Sequence, residues 1–275
     1  MSHNHEEVSR VTRSKEQARS TYDRMSRWYD LLAGSFEGKH RAAGVRKLNP
    51  SEGDVVLEVG FGTGHSILAL ADAVGASGKV YGIDLSQGML DVTRSRVEKA
   101  GLTGRVVLEC GDASQLPFDA SFFDSAFMSF TLELFDTPEI PVVLSECRRV
   151  LRTDGRICIV AMSKTEKLNA STRLYEWFHD KLPQYVDCRP IYVQESLQSA
   201  GFRVVDVTEL SLLGLRGEIV LAEKELASQS MVYFLCASSA SEIRDISPQW
   251  TGANRNGAGS DTSKGSGSVS FRIDS

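Results

Sequence analysis

No apolar run in this sequence approaches the roughly 20 residues that a membrane-crossing helix needs. The first residues, MSHNHEEVSR, also lack the apolar stretch of a secretory signal, so a cytoplasmic location is expected. Cysteine is sparse: Cys110, Cys147, Cys158, Cys188 and Cys236 stand apart and form no CxxC pair. Scattered thiols in odd number point to neither a disulfide framework nor a zinc site, and no metal is expected. Positive charge is not in excess. A formal net charge of −5 argues against the basic surface on which duplex recognition rests, and nucleic acid is not expected as a partner. No internal repeat is visible.

The chain has 275 residues, 41% hydrophobic and 24% charged, which suits one main soluble domain with a sizeable core. Both ends depart from this composition. Residues 240–275 are rich in Gly, Ser, Asn and Thr and poor in apolar side chains; such a tail cannot offset its ordering entropy and is expected to be disordered. Residues 1–14 are polar and expected to be flexible. From Lys15 a helical pattern begins, with Tyr22, Met25, Tyr29 and Leu32 on one face, which makes residues 15–48 an N-terminal helical segment of a domain over 15–239. The basic lean from Arg10 to Arg27 suits a solvated helix face, or peripheral contact with an anionic lipid surface.

Between the ends, strands and helices alternate. Strands are expected at Val55–Val59, Val80–Ile83, Val106–Cys110, Ser125–Ser129, Ile157–Ala161 and Val204–Val207. Helices lie between them: Ile140, Val143, Leu144, Cys147, Val150 and Leu151 recur at three- and four-residue steps, and Gly155 follows just beyond. Such alternation predicts an α/β fold, a mostly parallel sheet with helices on both faces, with ligands outside the carboxyl ends of the strands.

At the first such end the chain reads VVLEVGFGTGHS. Gly60, Gly62 and Gly64 form a turn that leads into a helix near His65, where free N–H groups suit a carboxylate or phosphate. The second strand ends at Asp84, placed to accept hydrogen bonds from two ribose hydroxyls, and Ser86 is expected to cap the next helix. The third ends at Asp112, a candidate acceptor for an adenine amino group, with Ala113 beside it. Three such signals at consecutive strand ends point to an adenosine-containing ligand. The dinucleotide pattern G-x-G-x-x-G would need its third glycine where His65 stands, so an NAD(P)-dependent oxidoreductase is the disfavoured alternative.

The ExGxGxG at Glu58–Gly64, the GID ending at Asp84, the GDA at Asp112 and the LPF at Leu116–Phe118 resemble the class I S-adenosylmethionine-dependent methyltransferases. Within that superfamily, YDRMSRWYD at Tyr22–Asp30 looks like the ubiquinone/menaquinone C-methyltransferase family. The resemblance implies a Rossmann-like seven-stranded sheet, S-adenosyl-L-methionine as cofactor and a small, quinone-like or lipid-like methyl acceptor. It assigns cofactor contacts to Glu58, Gly60, Gly62, Thr63, Gly64, Asp84, Leu85, Asp112, Ala113 and Ser129, with Tyr29 closing the pocket. One departure concerns Glu133, in Ser129-Phe130-Thr131-Leu132-Glu133-Leu134, which stands where the family carries Arg.

Some acceptors must lose a proton, and His65, Glu133, Tyr22 and His179 are the candidate bases. Residues Leu168–Pro190, with four aromatics, form either a lid over the acceptor or a helix packed on the sheet. Cys188 beside Arg189 raises a thiol site without partner cysteines to support it. A cofactor-binding module without catalysis is the remaining alternative.

Overall fold

Val55–Val59 forms strand β1 in the middle of the sheet, with Val56 through Val59 buried. A strand covered on both faces needs apolar side chains on both, so it reads as a continuous run and not as an alternating one. The computed structural model describes residues 10–11, 14–26, 34–164, 189–212 and 215–225.

The further strands are β2 (Lys79–Asp84), β3 (Val106–Cys110), β4 (Phe123–Ser129), β5 (Leu151–Met162), β6 (Phe202–Leu212) and β7 (Leu215–Lys224). Their order across the sheet is β3-β2-β1-β4-β5-β7-β6. Pairing is parallel from β3 through β5, and β7 runs antiparallel to both β5 and β6. This is the mostly parallel seven-stranded sheet expected. Reading the residues found six of the strands. β7 was missed because its hairpin with β6 extends the sheet where the helix-and-strand alternation stops, and β5 begins six residues before its expected start at Ile157, with Leu151 paired to Phe123 of β4.

The helices are α1 (Lys15–Met25), α2 (Gly34–Leu48), α3 (His65–Ala73), α4 (Gln87–Lys99), α5 (Ile140–Val150) and α6 (Val193–Ser199). They cover both faces of the sheet. Leu57 and Val59 share a core with Val143, Leu144 and Cys147 of α5 and Leu197 of α6. Val56 and Val80 face the opposite core, built with Val45 and Leu48 of α2, Ile67 and Leu70 of α3, and Leu90 and Val97 of α4. Among the described residues no helix is long and apolar enough to cross a membrane.

Two helix starts follow directly from sequence. Ser14 and Gln17 form a reciprocal capping box, each side chain accepting the other's backbone N–H, at 3.3 and 2.9 Å, and so begin α1. Ser86 caps α4 by accepting the Met89 N–H at 3.1 Å, as expected. α1 ends at Met25 and buries no residue fully, so polar contacts hold it more than an apolar face does. Tyr29 and Leu32, the 168–188 part of the lid candidate, His179, Cys188 and the 240–275 tail lie outside the described residues.

Candidate functional site

β1 lies between β2 and β4, so the chain leaves it in opposite directions and opens a crevice at the carboxyl ends, the expected place for a ligand. A cleft with about 1200 Å³ of empty space, its mouth included, occupies that position. The three glycines at its edge have φ of 73°, 53° and 85°, all in the left-handed region that glycine adopts without steric cost. They do different work. A side chain at Gly60 would come within 2.3 Å of Thr131, and one at Gly64 within 2.6 Å of Thr93, whereas one at Gly62 would meet nothing within 4 Å. The outer two allow close packing, and Gly62 alone of the three faces open space. From α4, Thr93 Oγ1 donates to the Gly62 carbonyl at 2.8 Å, and Arg96 donates to the Thr63 carbonyl at 3.0 Å.

Asp84, at the end of β2, accepts the Gly62 N–H on Oδ2 and the Ser86 N–H on Oδ1, each at 2.9 Å. Enclosure pushes its carboxyl up to about 6, against the pull of those two donors and with the push of the Asp23 charge. Asp112, at the end of β3, accepts the Ser114 N–H at 2.9 Å and the Lys15 ammonium at 2.6 Å. Its carboxyl lies below the usual range: burial opposes the shift, and the bonds from Lys15 and Ser114 outweigh it. Lys15 also reaches Glu139 at 2.7 Å. α1 thus lies along the cleft, tied further by Asp23, which accepts from the Ser86 hydroxyl at 2.6 Å and the Gly88 N–H at 2.9 Å.

Glu58, Gly60, Gly62, Thr63, Asp84, Leu85, Asp112, Ala113, Ser129 and Tyr22 all line this one cleft. Gly64 does not; it begins α3 and packs on Thr93. Glu58 is 1% exposed, and burial raises its carboxyl well above the usual range against the pulls of Ser66 and Arg41. Glu58 Oε2 and Ser129 Oγ are buried without a hydrogen-bond partner. Buried polar atoms without partners cost about 1–3 kcal/mol each. With the open space over Gly62 they fit a site shaped for a polar ligand of adenosine size. Phe130, also on the cleft wall, has φ of 53°, a conformation that few non-glycine residues adopt and that Asn49 and Ser121 share away from the cleft.

Two of the candidate bases do not line the cleft. His65 is exposed, lies outside the cleft lining and has Arg96 Nη1 2.7 Å from its Nε2. An N-terminal turn on the solvent side explains it. Glu133 is fully buried behind the cleft wall, where Oε1 accepts the Met162 N–H at 3.2 Å. Burial pushes its carboxyl up to about 8, with Glu37 adding to the shift and Arg189 opposing it. Arg189 itself is 1% exposed and donates to the Phe135 carbonyl at 2.6 Å and to Thr137 at 3.2 Å, pinning the loop after β4. Of the candidates, Tyr22 remains on the cleft.

Lys15, Glu37, Arg41 and Thr131 line the cleft as well, and none was recognisable in sequence. Glu37 and Arg41 look like an ordinary surface pair one helical turn apart, since nothing local marks which face of α2 is enclosed. Burial pushes the Cys147 and Cys158 thiols up to about 12, so neither is a ready nucleophile. Among the described residues no cluster of His, Cys, Asp and Glu could hold a metal ion.

Residues 56–155 match a methyltransferase domain family. The chain is 33% identical over 205 residues to the demethylmenaquinone methyltransferase of Symbiobacterium thermophilum, an alignment covering 68% of this chain and 80% of that protein. With the Bacillus subtilis demethylmenaquinone methyltransferase it shares 32% over 175 residues, covering 62% and 74%. Among solved structures, it superposes on a SAM-dependent methyltransferase from Aquifex aeolicus with a TM-score of 0.54 at 24% identity, covering 75% and 98% of the two chains. The [4+2]-cyclase SpnF superposes with a TM-score of 0.63 at 19% identity, covering 80% and 99%. These two likenesses concern the fold, which hosts more than one chemistry.

Proposed function

The chain belongs to the S-adenosylmethionine-dependent methyltransferases, in the family of the demethylmenaquinone methyltransferases, and from that premise we propose that its acceptor is a quinol-like ring with an apolar substituent. The dinucleotide-oxidoreductase alternative has no support among the relatives named above. What favours a quinol-like acceptor is the kinship together with the wall of Tyr22, Phe61, Phe130, Leu134 and Phe135, which offers apolar surface beside the glycine turn.

The proposed roles follow the strand ends. Asp84 takes the ribose hydroxyls, Asp112 and Ala113 take the adenine edge, and Leu85 covers the base. Thr63 and the backbone around Gly62 border the sugar, while Glu58 and Ser129, with their unmatched atoms, face the amino-acid end. S-adenosylmethionine supplies an electrophilic methyl carbon. The protein's part is to hold the acceptor carbon in line with it and to exclude water, which accounts for most of the catalysis such a reaction needs. A quinol hydroxyl must shed a proton as the ring carbon attacks. Tyr22 and Glu37 line the cleft for that task, and burial raises the Glu37 carboxyl against the pull of Arg41, bringing its proton affinity closer to neutral pH. We also propose a cytoplasmic location and a methyltransferase domain over residues 15–239, with residues 240–275 as a separate tail.

The test is to incubate the protein with methyl-labelled cofactor and a panel of naphthoquinols, benzoquinols, phenols, amines and phospholipids, with mass spectrometry as the readout. Label on a quinol ring carbon is expected, more with an apolar tail than without. Label confined to amines, phenols or phospholipids, or absent from every quinol, overturns the acceptor.

A further inference from the structure

We propose, on the cofactor reading given above, that Arg41 grips the carboxylate of the cofactor's amino-acid end and so selects the complete cofactor over its decarboxylated form. Adenosine held at Asp84 and Asp112, on the ends of β2 and β3, leaves the amino-acid end to cross the switch point toward β1 and β4. Arg41, from α2, lines the cleft on that side, close enough to Glu58 at the end of β1 to pull on its carboxyl. Lys15 and Arg41 are the two basic side chains among the described residues that line the cleft. Lys15 is already held between Asp112 and Glu139, at 2.6 and 2.7 Å.

Arg41 is differently placed. Its side chain is 15% exposed, yet its one ion-pair partner among the described residues is Glu37, through a single contact of 3.5 Å. A guanidinium carries five donors in a planar fork that matches a carboxylate with two parallel bonds. Enclosed cations with unused donors are costly unless a partner arrives. The neighbouring Glu58, with Oε2 unpartnered, is the matching acceptor for the ammonium of the same zwitterion. Cation and anion thus have separate partners a short distance apart on α2 and β1.

Calorimetric titration of the full chain with S-adenosylhomocysteine and with S-adenosyl-3-thiopropylamine, which lacks only the carboxylate, tests this directly. The wild-type protein is expected to prefer the complete compound by about 10- to 100-fold, the range of a charge-assisted bond. Arg41→Met shrinks that preference to about threefold or less while holding affinity for the decarboxylated probe within about twofold, which also reports that the variant is folded. Arg41→Lys, retaining charge without the fork, keeps part of the preference. Equal wild-type affinity for both probes, or an Arg41→Met preference matching wild type, overturns the role of Arg41 and leaves the cofactor site standing. Failure of the wild type to bind either probe overturns the site itself.

Discussion

Asp84 and Gly62, 22 residues apart in sequence, are joined by a hydrogen bond in which the Gly62 N–H donates to Asp84 Oδ2 at 2.9 Å. The carboxylate proposed to receive the ribose therefore also holds the turn that leaves room for the ligand. Removing it affects both. Asp84→Ala is expected to weaken cofactor binding by about 1–3 kcal/mol, the value of charge-assisted hydrogen bonds. Calorimetry checks this, and unchanged affinity would refute the ribose assignment.

Gly60 and Gly62 separate packing from binding. Alanine at either position costs about 1–2 kcal/mol for its left-handed backbone. Only at Gly60 does it also collide with Thr131, at 2.3 Å, adding about 1–3 kcal/mol of overpacking. Gly60→Ala should therefore unfold at clearly lower denaturant than Gly62→Ala. Gly62→Ala should lose cofactor affinity while remaining folded. Reversal of that order in urea titrations would sink the distinction.

Glu133 makes stability depend on pH. Its carboxyl is raised from 4.5 to about 8 by burial, so between those values the native protein keeps a proton that the unfolded chain releases. Stability from this group is highest below the lower value, falls as pH rises through the window, and levels off above about 8. The slope is at most about 1.4 kcal/mol per pH unit. Urea unfolding of wild type and Glu133→Gln at several pH values compares the two directly. The variant should show the shallower decline, and a wild-type decline no steeper than the variant's contradicts the assignment.

Lys15 anchors α1 over the cleft through half-exposed pairs with Asp112 and Glu139. Pairs that open to water contribute about 0–1 kcal/mol each, so Lys15→Met should leave the melting temperature nearly unchanged. Local opening of α1 should rise about 3- to 10-fold. Trypsin cleavage at Arg19 or Arg24 in the folded protein reads that opening, and cleavage at the wild-type rate counts against the tether.

Six strands, the start of α1 at Lys15, the Ser86 cap of α4, and the acidic strand ends could be read from the chain itself. Each depends on neighbours in sequence: an apolar run, a Ser before a helix, glycines where φ is positive. The glycine turn and the carboxylates at Asp84 and Asp112 could be placed on one edge because parallel connections bring successive strand ends to the same side. Those local features pointed to an adenosine-containing ligand, and the resemblance of the motifs to the class I methyltransferases supplied the superfamily.

Tertiary structure decided what each side chain meets. It packed Gly60 and Gly64 against Thr131 and Thr93 and left Gly62 facing open space, and turned Glu133 inward and His65 outward. It set Lys15 on Asp112 and brought Glu37 and Arg41 to the cleft wall. None of these has a local signature, because burial and charge pairing arise between segments as far apart as Lys15 and Asp112. A sequence constrains the backbone through adjacent residues, whereas the surroundings of a side chain are created only when distant segments pack.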